Sequence, residues 1–212
     1  PELQAPSPLR ALALQSAGLL QVWKGDQDQG LARLEESLSL FQRSEEERWI
    51  APALMSNAVG LINMGRVQAA RPLLEQSQAM FQKLGMDYFQ AITLVHLGNV
   101  ALGLGDPEKA LFALKKAESL ARNLKESWLI SFVVNNQGEV ARVKGDYDQA
   151  RGHYQECVRL IQNTQDQGDM ARFVHSLAYL DQHEGKLDQA ESGFEQSLRL
   201  FRRLGNRRGI AE

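Results

Sequence analysis

The sequence predicts an all-α protein, a tandem array of five helical hairpins stacked as an α-solenoid, and three observations carry that prediction. Laid on itself, the 212-residue chain aligns every forty residues from Ala11, as units 11–50, 51–90, 91–130, 131–170 and 171–210, without a gap. The fifteenth position of every unit is glycine: Gly25, Gly65, Gly105, Gly145 and Gly185. Leu (31) and Ala (23) far outnumber Val (11), Ile (6) and Thr (2), a balance that favours helices over strands. A fixed period of this length is the signature of stacked repeats.

Each unit divides into two helical segments with apolar spacing near 3.6, separated by the glycine. Glycine there supplies a positive φ without a Cβ penalty, and Asp26, Asp106 or Asp146 follows it as a candidate cap for the second helix. Pro107 suits the first helical position of its unit. Two columns are always small: Gly18, Ala58, Gly98, Gly138 and Ala178 in the first helix, and Gly30, Ala70, Ala110, Ala150 and Ala190 in the second. They let paired helix axes approach, while Leu34, Leu74, Leu114, Tyr154 and Phe194 fill the space beside them. One hairpin cannot bury that face alone, so neighbouring hairpins must stack. Pro72, well inside a second helix, is expected to delay that helix or kink it.

These residues resemble the tetratricopeptide repeat, most fully in unit three, where Leu97, Gly98, Ala101, Gly105, Ala110, Leu114 and Ala117 fall in the family's order. The resemblance spans about 11–210 and implies a right-handed superhelix. The family's usual proline near the end of the second helix is replaced by Gln42, Gln82, Arg122, Gln162 and Arg202, which lets that helix run on and lengthens the repeat. The large residue usual at position eleven becomes Gln21, Ala101, Ala141 and Asp181, which predicts looser packing in those units. The segments Leu84-Gly85-Met86 and 204–210 are similar to linkers of long-repeat arrays in bacterial signalling proteins, among them large ATP-binding LuxR-type regulators. That likeness implies a cytoplasmic sensor or docking arm. Residues 1–10, with three of the six prolines, read as a linker. Ala211-Glu212 reads as the start of a further unit, so the array is expected to belong to a larger protein.

A formal charge of −2 argues against nucleic acid as a partner. The lone Cys157 excludes an intramolecular disulfide, and no apolar run approaches the ~18 residues of a membrane span. Walker loops, G-x-S-x-G elbows and H-E-x-x-H helices are absent, so no enzyme and no cofactor is predicted. Asp26-Gln27-Asp28-Gln29-Gly30 superficially resembles a calcium loop, but Ser37 stands where its terminal glutamate belongs. His153 and Cys157 lack further ligands nearby, and His175 and His183 are about 12 Å apart along a helix, too far to share an ion. No metal site is therefore expected. Arg202, Arg203, Arg207 and Arg208 read as a solvated basic helix end.

In the family that the repeats resemble, positions two, five, six, nine and twelve of each first helix line the concave face. Here the first two units offer mostly apolar residues at those positions, such as Leu12, Leu19, Val22, Met55, Val59 and Ile62. Later units turn polar: His96, Asn99, Asn135, Asn136, Glu139, Arg142, Arg172, His175 and Tyr179 are the candidate binding residues. A primary amide donates and accepts at once, which suits the backbone of an extended peptide. Asn136 at position six and Asn99 at position nine match the positions that peptide-gripping family members use. Simple solvation of an open groove, and packing for the apolar half, stay open beside that reading. The leading function is a non-catalytic module that binds a protein segment. A small-molecule sensor and a scaffold that self-associates through uncapped ends are the alternatives.

Overall fold

The computed structural model describes residues 8–44, 47–162, 166–205 and 209–210. The rest of the expected linker, Arg207 and Arg208 of the basic cluster, and Ala211-Glu212 lie outside the described residues. Among the described residues ten helices follow one another: α1 (Pro8–Lys24), α2 (Gln27–Arg43), α3 (Glu47–Asn63), α4 (Val67–Lys83), α5 (Asp87–Gly103), α6 (Pro107–Leu124), α7 (Ser127–Val143), α8 (Tyr147–Ile161), α9 (Gln167–His183) and α10 (Leu187–Arg203). There is no strand among the described residues. Helices pair as α1 with α2, α3 with α4, α7 with α8 and α9 with α10. First-helix starts recur at Glu47, Asp87, Ser127 and Gln167, four residues ahead of the cuts drawn from Ala11, so those cuts fall inside first helices. The linker expected over 1–10 also gives way early, because Pro8 opens α1 at the position where a missing N–H costs nothing.

The chain divides into two compact units, 1–117 and 118–212. In the first, Ala11, Phe41 and Ala53 form one core cluster with Trp49 and Ile50 against it. A second joins Ala58, Ala70, Leu74 and Val100, flanked by Leu61, Leu73 and Leu97. In the second unit Ala141, Ala150, Tyr154 and Leu180 make the corresponding cluster, with Tyr147 and Leu177 packed on it.

The small columns are explained by contact distance. A Cβ added at Gly18 would sit 2.8 Å from the carbonyl oxygen of Gly30, and one at Gly138 would sit 2.6 Å from Cε1 of Tyr154. All five turn glycines take the left-handed conformation, with φ between 72° and 94°, as the turn requires. Between hairpins, Gly85 and Gly205 do the same, and Lys125, forty residues after Gly85, adopts φ 57°. Of the three candidate caps, Asp106 and Asp146 accept the N–H of Lys109 (3.0 Å) and Gln149 (3.1 Å). Asp26 makes no cap bond; its carboxylate faces the amide of Gln21 at 3.5 Å instead. Asp26–Gly30 runs straight into α2, leaving no loop to wrap a calcium ion.

Pro72 does not delay α4, which starts at Val67 in register with the other second helices. It is the sixth helical residue and withdraws a single backbone donor near the helix start, as Pro52 does in α3. The looser packing expected at position eleven is not uniform. Ala141 is 1% exposed beneath Tyr154 and Leu180, and Asp181 meets Arg151 at 2.8 Å. Gln21 keeps a buried Oε1 without a hydrogen-bond partner, and Ala101 lines a cavity.

One column does more than its size suggests. Ser37, Ser77, Cys157 and Ser197 donate to the carbonyls of Ala11 (2.7 Å), Ala51 (2.8 Å), Ser131 (3.3 Å) and Ala171 (2.8 Å), each 26 residues earlier. The same bond thus ties second helix to first in four hairpins. In the third, Ala117 has no side-chain donor. Burial pushes the Cys157 thiol up to about 12, so it serves as a small donor and not as a nucleophile.

Two sets of substitutions test this account in urea unfolding. Gly105→Ala, with open space around its Cβ, should lose about 1–2 kcal/mol through backbone strain alone, while Lys125→Gly should gain about 0.5–1 kcal/mol. Ser77→Ala should cost about 1 kcal/mol, and Ala117→Ser should add a comparable tie; unchanged midpoints in both would remove the hydrogen bond from the account.

Candidate binding groove

α7 and α9 are successive first helices of the second unit, and each presents one face to a shared cavity of about 350 Å³. From α7 come Asn135, Glu139 and Arg142; from α9 come Arg172, His175, Ser176 and Tyr179, with Phe201 of α10 completing the wall. The spacings i, i+4, i+7 on one helix and i, i+3, i+4, i+7 on the other are what a single helical face allows. Six of the nine sequence-predicted residues therefore meet in one place.

Their polar groups are held before any ligand arrives. The Tyr154 hydroxyl donates to Glu139 at 2.6 Å, and Arg142 donates to the other Glu139 oxygen from Nε (3.0 Å) and Nη2 (2.8 Å). The Arg142 guanidinium in turn lies 5.4 Å from the Tyr179 ring centroid. Burial and the bond to Glu139 drive the Tyr154 hydroxyl well above its ordinary range, so it remains a donor at every working pH. Towards the helix starts, Asp169 accepts the indole N–H of Trp128 at 2.9 Å and pairs with Arg172, while its own N–H is capped by Asp166 at 3.1 Å. Trp128 stacks on Phe132 with centroids 5.4 Å apart. His175 stands edge-on to Phe194. Both guanidiniums are thus neutralised by fixed carboxylates, and the cavity between them is lined by an amide, a hydroxyl, an imidazole and aromatic rings. Such a lining offers hydrogen bonds and ring contacts without a strong net charge.

Three candidates lie apart from this cavity. Asn136 is only 8% exposed and donates to the carbonyl of Phe132, four residues back on its own helix, at 2.7 Å. His96 and Asn99 are half-buried on α5 in the first unit. Burial lowers the His96 imidazole to about 4. Of the apolar candidates, Val22 is buried in packing. Trp128, Tyr154, Asp169 and Phe201 were not among the predicted binding residues. For Tyr154 the sequence does carry a signal, a hydroxyl where the same column holds Leu34, Leu74 and Leu114. Trp128 and Asp169 are 41 residues apart and carry none. Among the described residues no three of His, Cys, Asp and Glu converge as metal ligands, and no helix is long and apolar enough to cross a membrane.

The His96 environment makes a pH prediction with a definite sign. Its folded-state pKa lies below the ordinary 6.5, so the unfolded chain binds the proton first and stability falls as pH drops from about 6.5 towards 4. Thermal melts across that window should show the decline, and His96→Asn should flatten it; an identical slope in the variant would place the titration elsewhere.

The family model for the tetratricopeptide repeat matches residues 49–123. No curated protein matches the sequence significantly. Among solved structures, a putative kinesin light chain from Podosopora anserina with nearly identical TPR-like repeats is 16% identical, with a TM-score of 0.68 over 94% of this chain and 99% of that one. A Rap protein complexed with competence and sporulation factor is 18% identical, with a TM-score of 0.86 over 95% of this chain and 57% of that one. The Rap conjugation gene regulator of plasmid pLS20, in complex with the Phr* peptide, is 16% identical, with a TM-score of 0.81 over 92% and 54% of the two chains. The chain spans little more than half the length of those Rap proteins, and the likeness shows the fold. The family match covers the second and third hairpins, and the ten helices of the described residues share the fold of TPR-like helical arrays.

Proposed function

We propose that the array is a non-catalytic interaction module and that the cavity between α7 and α9 binds an extended protein segment. The carrying observation is the pre-set lining, in which Asn135, Ser176 and His175 present hydrogen-bonding groups between two guanidiniums already fixed by Glu139 and Asp169. Those groups suit a peptide backbone, and Tyr179, 40% exposed, offers a ring for a side chain. The Phr* peptide complex of the plasmid pLS20 Rap regulator supports the reading by likeness of fold. In a larger cytoplasmic bacterial signalling protein, such a groove would serve as the sensor or docking arm.

A random peptide library displayed on phage and selected on the immobilised chain tests the groove. Enriched sequences should bind the wild type, and Asn135→Ala with His175→Ala should weaken them about tenfold or more while far-ultraviolet circular dichroism stays unchanged. Peptides that bind both proteins equally would remove the groove from the reading, and a library that yields no binder would argue against a peptide ligand.

A further inference from the structure

Tyr154 is enclosed in the core, and its hydroxyl meets Glu139 at 2.6 Å. Among the described residues that line the cavity between α7 and α9, Glu139 is the one carboxylate, and both of its oxygens are engaged. Oε1 accepts from the Tyr154 hydroxyl on α8, and Oε2 accepts from Nε and Nη2 of Arg142 at 3.0 and 2.8 Å. Arg142 lies on the same helix as Glu139 and over the Tyr179 ring of α9.

This pairing belongs to the fourth hairpin alone. At the position of Tyr154 the other four carry Leu34, Leu74, Leu114 and Phe194, none with a hydroxyl. At the position of Glu139 they carry Leu19, Val59, Asn99 and Tyr179, none with a carboxylate. Donor and acceptor therefore occur together, and four hairpins pack without either. A basic side chain entering the groove meets the like charge of Arg142 and a carboxylate whose oxygens already accept, so it loses hydration without gaining a counter-charge. Backbone carbonyls and other acceptors meet no such obstacle.

We infer that Tyr154 is a positioning residue that sets the charge preference of the groove: by engaging Glu139 from inside the core it withholds that carboxylate, and the segment that binds is neutral or acidic where it meets α7. The inference rests on the peptide-binding function proposed above. Tyr154 acts through Glu139, and removing its hydroxyl returns Oε1 as an acceptor for a ligand ammonium.

Tyr154→Phe keeps the ring and deletes the donor. One random peptide library on phage is selected on the wild type and on this variant, and each enriched peptide is synthesised with lysine at every position in turn. Wild-type selections should be poor in Lys and Arg, and lysine at the most sensitive position should weaken binding about tenfold or more. On Tyr154→Phe the same lysine peptides should regain about fivefold, and in a Glu139→Gln background Tyr154→Phe should regain nothing. Tyr154→Leu, which places here the residue that three other hairpins carry, repeats the test where the phenylalanine variant does not fold. Tyr147→Phe, whose ring lies on His183, is the control and should leave the lysine penalty as it is.

The Nε–H resonance of Arg142 is read without any ligand. It should exchange slowly with solvent in the wild type and faster in Tyr154→Phe, where Glu139 is free to turn. An unchanged resonance removes the positioning role. Equal lysine tolerance in wild type and variant, or a gain that persists with Glu139→Gln, overturns the inference and leaves the groove as a peptide site. A library without binders overturns the groove and the inference together.

Discussion

The structure depends on how closely the two helices of a hairpin approach. At Gly18 and Gly30 a methyl group on either residue would lie 2.8 Å from the other's carbonyl oxygen. That separation leaves no room for a side chain in the first hairpin, and in the others both columns hold nothing larger than a methyl group. Small residues alone set a distance and leave rotation and slide undetermined. The hydroxyl of Ser37, Ser77 or Ser197, or the thiol of Cys157, supplies the missing constraint by reaching one particular carbonyl of the first helix. Directional bonds thus fix the register that close packing permits, and the outward face of each first helix follows from it.

The fourth hairpin meets the same constraint with different residues, and its groove chemistry follows from that change. Tyr154 occupies the column of Leu34, Leu74 and Leu114, and it fits because Gly138 opposite it has no Cβ. Its ring joins the core with Ala141, Ala150 and Leu180, while its hydroxyl emerges against Glu139. Glu139 then fixes Arg142, and Arg142 covers Tyr179. A substitution made inside the core therefore sets the orientation of a cation in the groove. Because these bonds are charge-assisted and partly buried, the arrangement is stiff, and a ligand meets groups that lose little freedom on binding.

What the sequence discloses and what it withholds divide along the same line. Contacts made in every repeat impose the same residue type at the same offset, so the period, the turn glycines and the small columns are legible by superposing the chain on itself. The faces of α7 and α9 are legible for the same reason, since helical spacing alone places Asn135, Glu139 and Arg142, or Arg172, His175 and Tyr179, together. Contacts made once leave no such record. The bond from Trp128 to Asp169 joins unlike residues of different hairpins. Asn136 resembles a ligand-facing amide in composition, yet it turns to the carbonyl of Phe132 because that acceptor lies one helical turn away and the residue is enclosed. Asp26 stands where Asp106 and Asp146 cap, and Gln21 faces its carboxylate instead.

Departures from the repeat run in opposite directions in the two units. Tyr154 puts a larger group where leucine is usual, and Ala101 with Ala113 puts smaller ones where leucine stands in the preceding hairpin. Neither is needed to build a hairpin, since the third and fourth keep the turn glycine and the small columns of the others. In an array whose hairpins interact chiefly with their neighbours, such a change is confined to its own place and leaves distant packing alone. Overfilling projects a polar group towards the groove, and underfilling leaves apolar space that lowers stability.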